Sequence, residues 1–254
     1  MPDFIRVSSA GPIRTITLAR PEARNALNYQ MLDEMLDAFR AEPPDDERVV
    51  VLRAEGPAFC AGMDLKERLA NPPPGNDSPI EVMLAAIEDY PLPVVAIVHG
   101  DAIAGGNELA LHCDFVVAST KASFGMSLAQ IGLAPTWFLL EKLMEVAGPV
   151  VTREVLLLGD PLPATRMHEL GVISRVAPPH ALESTAQAVI ERLAANAPLS
   201  LRAMKANIVR QLQYRENIPH EDVDRLVDAA RKSSDAVEGV AARVERRQPQ
   251  FSGS

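Results

Sequence analysis

The chain has 254 residues, 47% of them hydrophobic but only 4% aromatic, which excludes a disordered protein and predicts a largely aliphatic core. Thirty-four acidic against 25 basic residues give a net charge of −9, so nucleic acid and anionic membrane surfaces are not expected as partners, although a few local cations could still hold a small anion. Two cysteines, Cys60 and Cys113, without C-x-x-C spacing argue against a disulfide framework or structural zinc; with no leader-like start and no run long enough to span a bilayer, a cytoplasmic protein is expected.

In chain order, the first strand-like apolar run is Ile13–Leu18. Asn28 then reads as the cap of a helix whose buried face carries Met31, Leu32, Met35, Leu36 and Phe39. A second strand is predicted at residues 49–52. Residues 69–79, with four prolines, read as a mobile surface loop. Strands follow at Val94–Val98 and at residues 115–118, a helix at 137–147 stopped by Gly148-Pro149, and a strand at 172–176. Alternation of strand and helix indicates an α/β core, and three nearly all-apolar strands indicate a sheet covered on both faces. From about Ala181 the pattern is only helical: Leu201, Met204, Ile208 and Leu212 share one face, and Val240 and Val244 another, after a capping box of Asp235 and Glu238. Such a tail is expected to pack on the core or on a neighbouring subunit.

Two segments could hold an oxyanion. The first runs His99-Gly100-Asp101-Ala102-Ile103-Ala104-Gly105-Gly106-Asn107-Glu108 after a buried-type strand and opens a helix. Small residues admit a ligand close to the backbone, and the first N–H groups of a helix are unpaired and lie at its positive end. A nucleotide-phosphate loop is rejected, because Gly106 stands where Lys is required and no Ser or Thr follows. The second segment, Phe59-Cys60-Ala61-Gly62-Met63-Asp64-Leu65-Lys66, also follows a strand and exposes backbone. Each loop could aim one N–H at the same carbonyl oxygen.

These segments resemble the two signature motifs of the enoyl-CoA hydratase/isomerase (crotonase) family: F-x-A-G-x-D followed by Leu or Ile, and N-G-x-A-x-G-G-G-x-E-L, with His99 where Asn is common. Arg20-Pro21 through Asn25-Ala26-Leu27, Cys113-Asp114, Phe124-Gly125, Gly171-Val172 and the closing Asp235 through Arg247 match in order, so the resemblance covers nearly the whole chain. It implies a spiral of repeated ββα units, with residues 1–196 as the α/β core bearing the acyl-CoA site and 197–254 as a helical oligomerisation region. It also implies assembly as a homotrimer or hexamer. By that resemblance the N–H groups of Met63 and Gly105 form an oxyanion hole for a thioester enolate. Ala61, Asp64, Leu65 and Lys66 line the acyl-CoA site, Arg24 approaches the coenzyme A phosphates, and Glu108 is the first of two catalytic glutamates. No cofactor is implied beyond the coenzyme A of the substrate.

The chain departs from that pattern at position 128 and in the segment after it. The second hydratase glutamate falls twenty positions after the first, where this sequence has Leu128, which is expected to line the acyl pocket. The following segment, 132–138, lacks the family's P-x-x-G-G run. Hydration of a 2-enoyl-CoA with Glu108 as principal acid/base is the first expectation. A single-carboxylate double-bond isomerase and a non-catalytic acyl-CoA binder are the alternatives. His99, Asp101, Glu81 and Asp89 are candidate replacements for the missing acid, each with an ordinary structural role as the competing explanation. Helix dipole and burial should act on Glu108 in opposite directions, the first lowering and the second raising its pKa. The run Gly125-Met126-Ser127-Leu128-Ala129 imitates a nucleophile elbow but lacks its context.

Overall fold

The computed structural model describes residues 3–71, 78–213 and 218–253. Its centre is a six-stranded sheet in the order β1 (Ile5–Ala10), β2 (Ile13–Leu18), β3 (Val49–Ala54), β4 (Val94–Val98), β6 (Phe115–Ser119) and β9 (Arg175–Ala177). β1 and β2 form an antiparallel hairpin, and every later pairing is parallel. The apolar runs follow from this position. Val50 and Leu52 of β3 face one core with Met31, Met35 and Phe39 of α1 (Tyr29–Arg40) and Met83, Leu84 and Ile87 of α3 (Pro79–Asp89). Val49 and Val51 face the other side, where Val95, Ile97 and Val117 meet Leu182, Ala186 and Ile190 of α7 (Leu182–Ala194). A strand covered on both faces has no solvent side to alternate with.

A smaller sheet lies beyond the carboxyl ends of these strands. It orders β5 (Ala102–Ile103), β7 (Ser123–Gly125) and β8 (Leu162–Pro163), and a bridge from Cys60 to Ala102 extends it by one position. The repeat is then visible residue by residue. β3, Cys60 and α2 (Leu65–Ala70) form one unit; β4, β5 and α4 (Gly105–Leu111) form the next; β6, β7 and α5 (Trp137–Arg153) form a third. Each unit stacks in parallel on the last in both sheets, with Val50 beside Val94 and Val95 beside Phe115 in one, and Ala102 beside Phe124 in the other.

Several expectations need correction. The strand expected at 172–176 is only Arg175–Ala177; Val172 and Ile173 instead turn inward from a bend and bury in the core. The expected capping box is absent. Ser233 caps α10 (Ser234–Glu245) by accepting from Ala236 N–H at 3.0 Å, while Asp235 accepts from the Ser252 and Gly253 N–H groups and Glu238 pairs with Arg247. The loop expected at 69–79 loses both ends to helices, since Leu69 and Ala70 finish α2 and Pro79 opens α3; residues 72–77 lie outside the described residues. Gly148 does break α5, at φ 64° and ψ 172°, and a short turn resumes at Pro149. Cys60 and Cys113 are buried free thiols.

The tail is helical, with α8 (Pro198–Leu212) and α9 (Glu221–Lys232) before α10. Its charged residue Lys205 is buried, its ammonium on Asp114 at 2.6 Å and on the carbonyls of Ile87 and Leu92. Met204 and Ile208 on the same helix stay about 60% exposed. Among the described residues no helix is long and apolar enough to cross a membrane.

Candidate active site

The two glycine loops run side by side because each leaves the carboxyl end of an adjacent parallel strand. Cys60 N–H donates to the Asp101 carbonyl at 3.1 Å, and Ile103 N–H donates back to the Cys60 carbonyl at 2.9 Å. Glycine is required where they cross. A Cβ at Gly106 would lie 2.1 Å from the Cys60 carbonyl oxygen, and one at Gly62, where φ is +89°, would lie 3.1 Å from the Gly105 nitrogen.

The two expected donors are free at this crossing. Leu27 donates to the Gly62 carbonyl at 2.8 Å and accepts from Asp64 N–H at 2.8 Å, the pattern of a parallel bridge opposite Met63. In that pattern Met63 directs its own N–H away from Leu27. Gly105 is the first residue of α4, and no acceptor among the described residues meets its N–H or that of Met63. Ala104, just before it, holds φ +50° and ψ −117° with its N–H on the Gly125 carbonyl at 2.7 Å. A side chain in that region costs about 1–3 kcal/mol, strain of the kind stored where backbone direction matters.

Both donors open on a cavity of about 930 Å³. Of the expected site residues, Arg24, Ala61, Met63, Leu65, Gly105, Glu108 and Leu128 line it. Asp64 and Lys66 do not. Asp64 is spent as the cap of α2, accepting from the N–H groups of Lys66 and Glu67, and as the partner of Arg20 at 2.8 Å. Lys66 lies exposed on the outer side of that first turn. Arg24 meets the cavity already paired with Asp101 at 3.0 Å.

Glu108, three residues into α4, has no exposed surface, and neither carboxyl oxygen has a hydrogen-bond partner. Burial wins over every attractive contribution and pushes its pKa up to about 8. One turn on, His112 places Nδ1 3.7 Å from Glu108 Oε2 and 2.7 Å from the Glu108 carbonyl, to which it donates. Its ring stacks on Phe138, and burial pushes its pKa down to about 3, so the imidazole is neutral.

The position of the expected second carboxylate is apolar. Leu128 stands at the start of the turn Ala129–Ile131, packed against the core and on the cavity wall. The candidate replacements are engaged elsewhere. His99 Nε2 lies 2.9 Å from the Gly56 carbonyl, Glu81 accepts from Thr136 Oγ1 at 2.9 Å, and Asp101 holds Arg24. Asp89 ends α3 away from the cavity lining. Ser127 accepts from Arg243 at 3.2 Å and has no His and Asp partners of a triad. What the sequence reading did not place is the wall made by the tail: Arg231 of α9 and Ala236, Val240 and Arg243 of α10 line the same cavity. Helical periodicity in the tail marks faces but not where they dock.

The family model for enoyl-CoA hydratase/isomerase matches residues 9–254. Enoyl-CoA isomerase/hydratase fer4 of Mycosarcoma maydis is 35% identical over 212 residues, 76% of this chain and 75% of that protein. The 1,2-epoxyphenylacetyl-CoA isomerase of Escherichia coli is 33% identical over 269 residues, covering all of both chains. The crystal structure of carnitinyl-CoA hydratase from Mycobacterium avium superposes with a TM-score of 0.87 at 31% identity, again over all of both chains.

Proposed function

Because the chain belongs to the enoyl-CoA hydratase/isomerase family and has its fold, we propose that it binds an enoyl-CoA thioester and shifts its double bond, with Glu108 as the single proton carrier. One observation carries this reading: an isolated, fully buried carboxyl whose pKa lies near neutrality, on the same cavity as two unengaged N–H groups. A general acid/base works best with a pKa near the working pH. The ionised Glu108 takes a proton from the carbon beside the thioester carbonyl of a 3-enoyl-CoA. The electron pair delocalises onto the carbonyl oxygen, where the N–H groups of Met63 and Gly105 hold the dienolate. The same carboxyl then returns its proton to the far end of the conjugated system. Atoms and charge balance with one carboxyl and no cofactor beyond the coenzyme A of the substrate.

Hydration, the first expectation from sequence, stands second, since a water must be held and deprotonated by a further group and Leu128 offers none. The support for catalysis over mere binding is the cost of keeping Glu108 enclosed without a partner, which a binding protein has no use for. The same proposal includes assembly as a trimer or a pair of trimers, supported by the uncovered apolar residues of α8, and a reducing, cytoplasmic setting, supported by two buried free thiols.

The test is a panel of 2- and 3-enoyl-CoA thioesters in heavy-oxygen water with mass-spectrometric product detection. Isomerisation gives a conjugated product without the heavy isotope, and Glu108→Gln should lower the rate at least about a hundredfold. Incorporation of the isotope would establish hydration instead. No turnover across the panel would leave the non-catalytic reading.

A further inference from the structure

The cavity carries positive charge that no ion pair among the described residues neutralises. Its walls differ in origin. One holds the donor loops, Arg24 with its partner Asp101, and Glu108. The other is the turn bearing Leu128 together with α9 and α10. That second wall is closed tightly, because Gly239 of α10 lies against the Ile131 backbone and Gly132 against the Asp235 carbonyl, where a Cβ would fall within 2.5 Å in both cases.

Arg231 stands on this wall. Its Nε donates to the Ala134 carbonyl at 3.4 Å, and among the described residues no carboxylate forms an ion pair with it. Two other cations of the lining are matched, Arg24 by Asp101 and Lys232 by Asp228, whereas Arg68 and Arg243 add positive charge with no ion pair among the described residues, Arg243 donating to Ser127. Arg231 is partly buried, and burial, aided by the neighbouring Arg68 cation and only partly offset by the carboxylates of Glu81 and Asp228, holds its pKa below the usual guanidinium range. The segment it grips, Leu133 and Ala134, leads directly from the Leu128 turn into Thr136 and α5, whose Phe138 stacks on His112 behind Glu108. Arg231 therefore belongs to the wall that faces the chemistry.

The rest of the chamber suits an anion. Leu128 removes a fixed carboxylate from this side, and Glu108 holds its proton near neutrality. A neutral hydrocarbon tail would leave the guanidinium without a counter-ion in a partly dry cavity, which is costly; an anionic tail would supply it. Building on the acyl-CoA reading above, we propose that the acyl group carries a carboxylate remote from the thioester, and that Arg231 is the residue that selects it.

Calorimetry on the whole protein with free coenzyme A, valeryl-CoA and glutaryl-CoA tests this, since the two thioesters share a five-carbon chain and differ in the terminal carboxylate. A charge-assisted pair predicts glutaryl-CoA binding about tenfold to a hundredfold tighter than valeryl-CoA. Arg231→Met should erase that difference by weakening glutaryl-CoA while valeryl-CoA binds at least as tightly as to the parent, and Arg231→Lys should keep part of the difference. Equal affinity of the two thioesters for the wild-type protein overturns the proposal without any variant, so a misfolded Arg231→Met does not shelter it. Equal weakening of all three ligands by Arg231→Met also overturns it, by assigning the guanidinium to the coenzyme A phosphates. If the wild-type protein binds neither coenzyme A nor valeryl-CoA, the acyl-CoA reading falls with it.

Discussion

Glu108 is enclosed by elements remote in sequence. Glu81 and Glu88 of α3 add negative potential to it, and Lys142 of α5 opposes them, itself paired with Glu88 and Glu145. The signature motif marked Glu108 as a candidate acid/base, but not its protonation state, which depends first on burial and then on charges brought by α3 and α5. The raised pKa fixes two signs. Activity that needs the carboxylate should rise with pH and level off above about 8, with only about a tenth of the enzyme ionised at pH 7; a flat kcat/KM profile between pH 6 and 9 would contradict it. Stability runs the other way. A carboxyl whose folded pKa is raised contributes stability fully present below its unfolded value near 4.5 and lost as pH rises through about 8. Glu108→Gln should therefore melt higher than the parent at pH 9, and the gap should close on acidification to about pH 4.5.

At the scale of elements, β3, β4 and β6 could be read from composition because burial on both faces leaves few polar positions. The small sheet could not, since strands of two and three residues carry no period. β1 was missed for a different reason: five of its six residues are exposed, and its sequence, Ile5-Arg6-Val7-Ser8-Ser9-Ala10, looks like a loop. Yet the small sheet sets the geometry of the two free N–H donors, because the Cys60–Ala102 bridge brings the loops to their crossing. Gly106→Ala tests that dependence. Its methyl would have to displace the Cys60 carbonyl from 2.1 Å, which should destabilise the fold by about 1–3 kcal/mol and cut kcat beyond what the stability loss explains. Chemical denaturation beside steady-state kinetics separates the two effects. A second element-scale test concerns how α8 is fastened. Lys205→Met removes the buried ammonium from Asp114, which is exposed and keeps the Val94 N–H, and frees two carbonyls, for an expected loss of about 1–3 kcal/mol in urea unfolding.

For the molecule as a whole, the tail does two jobs with opposite faces. The inner face of α10 closes the cavity with Ala236 and Val240, and α8 is pinned to the core by Lys205. The outer face leaves Met204 and Ile208 of α8 at 61% and 60% exposure, although the chain carries nine net negative charges that would favour a polar surface. Periodicity in the sequence located this face through Met204 and Ile208, but a single chain cannot show what covers it. If the face is a subunit interface, assembly also stiffens the wall that presents Arg231, since α9 and α10 follow α8 in the chain. Light scattering should then give a mass of three or six chains for the wild-type protein. Met204→Glu with Ile208→Glu should shift it toward one chain, because two buried carboxylates without partners cost more than the contact gains. The coupling has its own signature: dissociation by the double variant should weaken acyl-CoA binding although neither residue lines the cavity. A wild-type mass of one chain, or a monomeric variant with unchanged acyl-CoA affinity, would show that the two faces of the tail act independently.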